Sequence, residues 1–148
     1  MRVMSDMPRS DPPESSDLDD QLAELAGRLF DMARNGDTAA LDAYLDAGVP
    51  VNLRNQTGDT LLMLAAYHGH ADTVSALLSR GADPNLPNDR GQSPLAGAVF
   101  KSNDEVVAAL VAAGADPDAG SPTARDAAVM FGRADYSDLW RPPHPGSG

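Results

Sequence analysis

Thr57-Gly58-Asp59-Thr60-Leu61-Leu62-Met63-Leu64-Ala65-Ala66 opens a segment that runs on to Gly81-Ala82-Asp83-Pro84-Asn85, and its pattern recurs without a gap 33 positions downstream. There Arg90-Gly91-Gln92-Ser93-Pro94-Leu95 opens the copy and Gly114-Ala115-Asp116-Pro117-Asp118 closes it. Gly58 pairs with Gly91, Gly81 with Gly114, and Asp83-Pro84 with Asp116-Pro117. A period of that length marks a stacked array in which each unit covers the apolar face of its neighbour. Two unrelated helical hairpins would not keep one register through turns and helices alike. An earlier, degenerate unit shares it: Ala33, Gly36, Leu41, Leu45, Gly48 and Asn52 stand 33 before Ala66, Gly69, Val74, Leu78, Gly81 and Asn85.

Each recurring residue has a local role. Thr60 and Ser93 suit a helix N-cap, where a side-chain oxygen accepts a first-turn N–H. Pro94 then takes the first helical position, where its missing N–H costs nothing. Gly69 ends a first short helix, and Gly81 and Gly114 end a second, in left-handed backbone. Asp83-Pro84-Asn85 and Asp116-Pro117-Asp118 cannot continue a helix and read as turns into an extended finger. Val74, Leu77 and Leu78 share one helix face, as do Val107, Leu110 and Val111. Alanines at 65, 66 and 98 let neighbouring helices approach closely.

The residues at these offsets resemble the ankyrin repeat, whose unit reads Gly-x-Thr-Pro-Leu-His-x-Ala, then Gly-His, an apolar helix and Gly-Ala-Asp. Gly58, Thr60, Leu62, Ala65-Ala66, Gly69-His70, Val74, Leu77-Leu78 and Gly81-Ala82-Asp83 carry one match; Gly91, Ser93-Pro94-Leu95, Ala98, Val107, Leu110 and Gly114-Ala115-Asp116 carry the next. A truncated unit, Thr123-Ala124-Arg125-Asp126-Ala127-Ala128, resembles the closing repeat of such arrays. The resemblance implies an all-α solenoid of stacked helix–turn–helix units with short β-turn fingers. Its repeats fall at residues 18–54, 55–87 and 88–120, with a closing repeat at 121–140, inside a domain spanning 17–140. Two departures stand out. Met63 and Ala96 replace the family's histidine, removing its hydrogen bond to the threonine, and Leu61 replaces its proline. The last spacing is about three residues short, so its finger must be tightened or lost. The last helix begins at Ser121-Pro122 or at Thr123; Thr123 is preferred because it aligns Gly132 with Gly69.

With 148 residues, one domain with a thin continuous core is expected. There is no cysteine, so neither disulfides nor thiolate metal sites are available. No apolar leader or membrane-length apolar run is present, which points to a cytoplasmic protein. Ten arginines against one lysine, with abundant Ala, Gly, Pro and Asp, fit a GC-rich bacterial genome. Residues 1–16, bearing Pro8, Pro12 and Pro13, are expected to be disordered, and 141–148 to form a flexible tail. Ser16 is placed to cap a helix running through Leu18, Leu22, Leu25 and Leu29. A net charge of −11 argues against nucleic acid and anionic membranes, whose phosphates need clustered Lys and Arg.

In ankyrin arrays the concave face is built from finger tips and from the exposed end of each first helix. Carried over residue by residue, the resemblance places there Arg34-Asn35, Tyr67-His68, Phe100-Lys101 and Met130-Phe131 from the helices. The fingers contribute Arg54, Gln56, Thr57 and Asp59, then Pro87, Asp89, Arg90 and Gln92. Four of the eleven basic residues (Arg34, Arg54, Arg90 and Lys101) thus fall on one surface of an acidic chain, and Tyr67, Phe100 and Phe131 line up beside them. Tyr and Arg are enriched at the energetic centres of interfaces. The competing reading buries the aromatics between helices.

Other chemistry is thin. His68 and His70 are two apart and do not face one another on a helix; His70 matches the structural His of the family. Asp19-Asp20 and Asp104-Glu105 read as helix-start charges favoured by the dipole. Trp140 is expected to close the C-terminal end. No catalytic, cofactor or metal residue is assigned. The expectation is a monomeric, non-catalytic module that binds a cytosolic protein, one with an acidic surface, as adaptor, inhibitor or regulator. The alternatives are a small-molecule or peptide sensor on the Tyr67–Phe100 row and a metal-dependent hydrolase around His68.

Overall fold

The computed structural model describes residues 15–140, except the side chains of residues 15–19, 134, 137 and 140. Segments 1–14 and 141–148, where disorder and a loose tail are expected, lie outside that range. Helix α1 (Ser15–Asn35) is followed by α2 (Thr38–Asp46), α3 (Leu61–Tyr67), α4 (Ala71–Ser79), α5 (Pro94–Phe100), α6 (Asp104–Ala112) and α7 (Ala124–Met130). A 3-10 turn (Ala134–Tyr136) and the short α8 (Ser137–Trp140) end the order. Inner helices α1, α3, α5 and α7 pack in sequence, and outer helices α2, α4 and α6 form a second layer behind them.

Local chemistry sets the helix starts. Thr60 Oγ accepts the Met63 N–H at 3.0 Å, Ser93 Oγ that of Ala96 at 3.0 Å, and Thr123 Oγ that of Asp126 at 3.0 Å. The three later inner helices therefore begin the same way, and Thr123 is the last start, as the Gly132 alignment indicates. In α6 the cap is Asn103, whose Oδ1 accepts the Val106 N–H, so Asp104 is not the cap. Asp19 and Asp20 likewise lie beyond the first turn of α1.

The core is the period made solid. Leu62 and Leu95, Val74 and Val107, and Leu77 and Leu110 are fully buried pairs 33 apart, with Ala33, Ala65, Ala66 and Ala98 between the inner helices. Polar groups bond between units at matching positions. Asn52 Oδ1 accepts the Asp83 N–H and Asn85 Oδ1 the Asp116 N–H, at 2.9 and 2.7 Å. Arg80 on α4 pairs with Asp42 and Asp46 on α2.

Two junctions depart from the repeat. Helix α1 has 21 residues where α3 has seven, so it is roughly 20 Å longer than its inner neighbour. Leu22, expected in the apolar stripe, is consequently 61% exposed, while Leu29 is buried. At the other end the shortened finger is replaced by a tight loop, where Ser121 N–H donates to Gly91 O at 2.8 Å. Gly120 has φ +82°, and a Cβ there would lie 2.8 Å from the Gly91 carbonyl oxygen. Gly120→Ala should therefore lower stability by at least about 1–2 kcal/mol, the cost of a left-handed non-glycine residue alone. Urea unfolding measures it, and an unchanged midpoint would contradict this packing.

The C-terminal end is closed by Tyr136, 2% exposed, whose hydroxyl donates to Asp104 Oδ1 at 2.6 Å. Arg133 bridges Asp104 and Asp135 and lies 4.2 Å above the Tyr136 ring. The side chain of Trp140, expected in this role, lies outside the described residues. Burial, then the bond to Asp104, pushes the Tyr136 phenol up to about 12. The hydrogen bond from Tyr136, then that from Arg133, holds Asp104 below its ordinary 3.8. Because the folded phenol pKa is raised, its stabilisation is complete below about pH 10 and lost as pH rises through about 12. Asp104 acts oppositely: its contribution is present above its ordinary value and lost as pH falls through the lowered one. Tyr136→Phe should remove the alkaline component while leaving most of the ring's packing. Unfolding midpoints from pH 8 to 12 check this.

Candidate functional site

The inner helices end on one side of the stack in a row of rings. Tyr67 closes α3 and Phe100 closes α5, each seven residues after its cap, so a common helical register brings their side chains to one face. Their rings stack 6.4 Å apart with planes 8° off parallel. Phe131 meets Phe100 edge-to-face at 4.9 Å. Phe131 sits one position beyond the register of Phe100, where Met130 is the equivalent; the row is nonetheless continuous. Tyr67, Phe100 and Phe131 are 38%, 48% and 45% exposed, and Met130 is 67% exposed. The rings pack on each other, not between helices.

The fingers frame this row and are stiffly built. Asn55 Oδ1 accepts the N–H groups of Thr57 and Asp59, and Asn88 Oδ1 those of Arg90 and Gln92. The Asp89 N–H donates to Thr57 O, tying one finger to the next. Several residues expected on the binding surface are thereby occupied within the chain. Arg54 donates to Gly58 O at 3.2 Å and to Pro87 O at 2.7 Å, and so acts as a strut between fingers. Asp59 accepts from Asn88 Nδ2 and from the Thr57 hydroxyl. Gln92 Oε1 also accepts from Asn88. Arg34 pairs with Asp31 at 2.7 Å on the surface. Asn35, Gln56, His68, Asp89, Arg90 and Lys101 remain exposed. Among the described residues Arg90 and Lys101 have no ion-pair partner; the Lys101 ammonium lies 5.0 Å from the Tyr67 ring centroid.

Three hollows run along the face. One, of about 500 Å³, lies between the long α1 and the first finger, lined by Ala26, Gly27, Phe30 and Gln56 among others. The next, about 330 Å³, is polar, with Arg34, Asp59, His68 and Arg90. The third, about 340 Å³, is mostly apolar and lies beneath the rings. Its floor comprises Met63, Ala96, Gly97 and Ala127, residues outside the motif positions expected on the face. A helical signal was available for them: each stands three or four positions before Tyr67, Phe100 or Met130.

The two histidines do not converge. His70 Nε2 bonds to the Arg34 carbonyl at 2.7 Å, joining the first two inner-helix ends, whereas His68 stands edge-on to Tyr67 at 5.5 Å. Partial burial, then the nearby His70, Arg34 and Lys101, hold His68 below its ordinary value of 6.5. Among the described residues no three His, Asp or Glu side chains gather as metal ligands would. None of the described helices is long and apolar enough to cross a membrane.

Stacked helical hairpins of this kind define a repeat solenoid, a class that uses extended surfaces for binding. Residues 29–121 match the family described as ankyrin repeats, in three copies, and the chain belongs to that family. It is similar to an ankyrin repeat protein of Pseudomonas aeruginosa, with 53% identity over 70 residues. That match covers 47% of this chain and 37% of the relative, so the chain spans well under two thirds of the relative's length. Ankyrin repeats generally serve as protein–protein interaction modules and are typically non-catalytic.

Proposed function

We propose that this chain is a non-catalytic, monomeric module that binds a cytosolic protein through its concave face, acting as an adaptor, inhibitor or regulator. The exposed row Tyr67–Phe100–Phe131 carries the reading, because three contacting rings, each two fifths to one half in water, form a patch suited to burial against a partner. Asn35, Gln56, His68, Asp89, Arg90 and Lys101 border that patch. Arg54, Asp59 and Gln92 contribute by holding the fingers in place. The bond of His70 to the Arg34 carbonyl, and the lack among the described residues of a ligand cluster that includes His68, weigh against hydrolysis. The test is affinity capture from an extract of the native host, comparing the full chain with Phe100→Ala and with the outer-face control Asp72→Ala. A partner retained by Asp72→Ala and lost by Phe100→Ala supports the concave face. The reverse pattern removes it.

A further inference from the structure

We infer that the hollow beneath the aromatic row is an anchor site for a partner segment in which bulky apolar side chains stand next to carboxylates. The inference rests on the concave-face reading and deepens it. Its first support is the origin of the hollow. The two positions where this chain departs from the repeat's histidine, Met63 and Ala96, both lie in its floor and are almost fully buried. A polar position in the repeat is thus apolar twice in succession. Gly97, between them and the rings, is a glycine in the middle of α5, where it costs roughly 0.5–1 kcal/mol relative to alanine. An added Cβ would make only ordinary contacts, 3.6 Å from Tyr67 and 4.0 Å from Met63, so crowding does not impose the glycine. Its missing side chain leaves the hollow open. The loss of the last finger contributes too: the tight loop through Gly120 and Ser121 leaves Pro122 as one wall and Met130 and Phe131 uncovered.

Size and charge then specify the occupant. An engineered apolar cavity of about 150 Å³ holds a benzene ring, so about 340 Å³ has room for two side chains of that class. Met63, Tyr67 and Gln92 line both this hollow and the polar one beside it, so the two are contiguous. The polar hollow carries Arg34, His68 and Arg90; its one carboxylate, Asp59, is engaged by Asn88 and Thr57. Lys101 adds a further cation, its ammonium 5.0 Å from the Tyr67 ring centroid. In a chain of net charge −11, two exposed cations without ion-pair partners among the described residues complement a carboxylate-bearing segment at this one place.

The test uses the full chain, labelled with nitrogen-15, and three short synthetic peptides followed by amide chemical shifts. The first has adjacent phenylalanine and leucine flanked by glutamates; the second has lysines for the glutamates; the third has serines for the two apolar residues. Expected is saturable binding of the first, with shifts centred on Gly97, Lys101 and Met130. The lysine peptide should bind at least about 10-fold more weakly and the serine peptide not measurably. Phe100→Ala and the hollow-filling Gly97→Leu should each weaken the first peptide by about 10-fold or more while the remaining amide pattern stays folded. Arg90→Glu with Lys101→Glu should abolish the preference for glutamate over lysine. Equal binding of the glutamate and lysine peptides overturns the charge assignment, and absence of saturable binding overturns the anchor site. Shifts confined to Asn55 and Gln56 would move binding elsewhere on the concave face, overturning the hollow alone. Shifts confined to α2, α4 and α6 would overturn the concave-face reading as well.

Discussion

Leu77→Ala is expected to lower the unfolding free energy by about 3–4 kcal/mol, a large part of what holds a domain of this size together. Leu77 is fully buried in α4, the middle outer helix, with helix neighbours on both sides and on α3. A repeat stack is stabilised by the contacts between adjacent units. A cavity there weakens two interfaces at once, and neither can collapse without moving a whole helix. Leu22→Ala is the matched control, since Leu22 is 61% exposed on the protruding part of α1. Its effect should stay within about 0.5 kcal/mol. Urea unfolding followed by circular dichroism reads both. A Leu77→Ala loss below about 1 kcal/mol would mean that the outer layer is not packed as described.

Phe100→Ala is expected to weaken binding of the captured partner by about 10- to 100-fold, or 1.4–2.8 kcal/mol, with little change in helical signal. Phe100 is the central ring, in contact with both Tyr67 and Phe131, yet 48% exposed in the free chain. Its truncation removes little from the core and inserts the best helix former at the end of α5. Tyr67→Ala should act in the same direction. Arg90→Glu and Lys101→Glu should chiefly slow association with an acidic partner, more so at low salt, since rim charges steer encounter. Asp72→Ala and Glu105→Ala on the outer layer should do little. If the outer changes abolish binding and the concave ones leave it intact, the functional face is wrong. If Tyr67→Ala or Phe100→Ala unfolds the chain, the rings belong to the core.

Much of this molecule is legible in its sequence because the determining interactions are short-range and periodic. Thr60, Ser93 and Thr123 cap helices through bonds to residues three positions on, a geometry that needs no tertiary partner. The 33-residue register fixed which apolar residues face inward, since each unit meets only copies of itself. The candidate face was legible to the same extent: Tyr67 and Phe100 occupy one helical position in successive units, and their rings stack.

What the period could not supply depends on places where it breaks or where side chains cross between units. Leu22 belongs to an unbroken stripe with Leu29, and only the shortness of α3 leaves it in water. The C-terminal seal joins Tyr136, Arg133 and Asp104 across about thirty residues with no repeat to predict it. Arg54, Asp59 and Gln92 look like free binding residues in the sequence, but the folded fingers engage them: Arg54 and Asp59 bond across to the next finger, and Gln92 bonds to Asn88 within its own. The hollow under the rings is the clearest case. Sequence alone determined that Met63, Ala96 and Gly97 are small or apolar; only the stacking of α3, α5 and α7, and the loss of the finger above α7, made them the floor of one cavity. Local capping and periodicity are encoded residue by residue, whereas a space between elements exists only once those elements have packed.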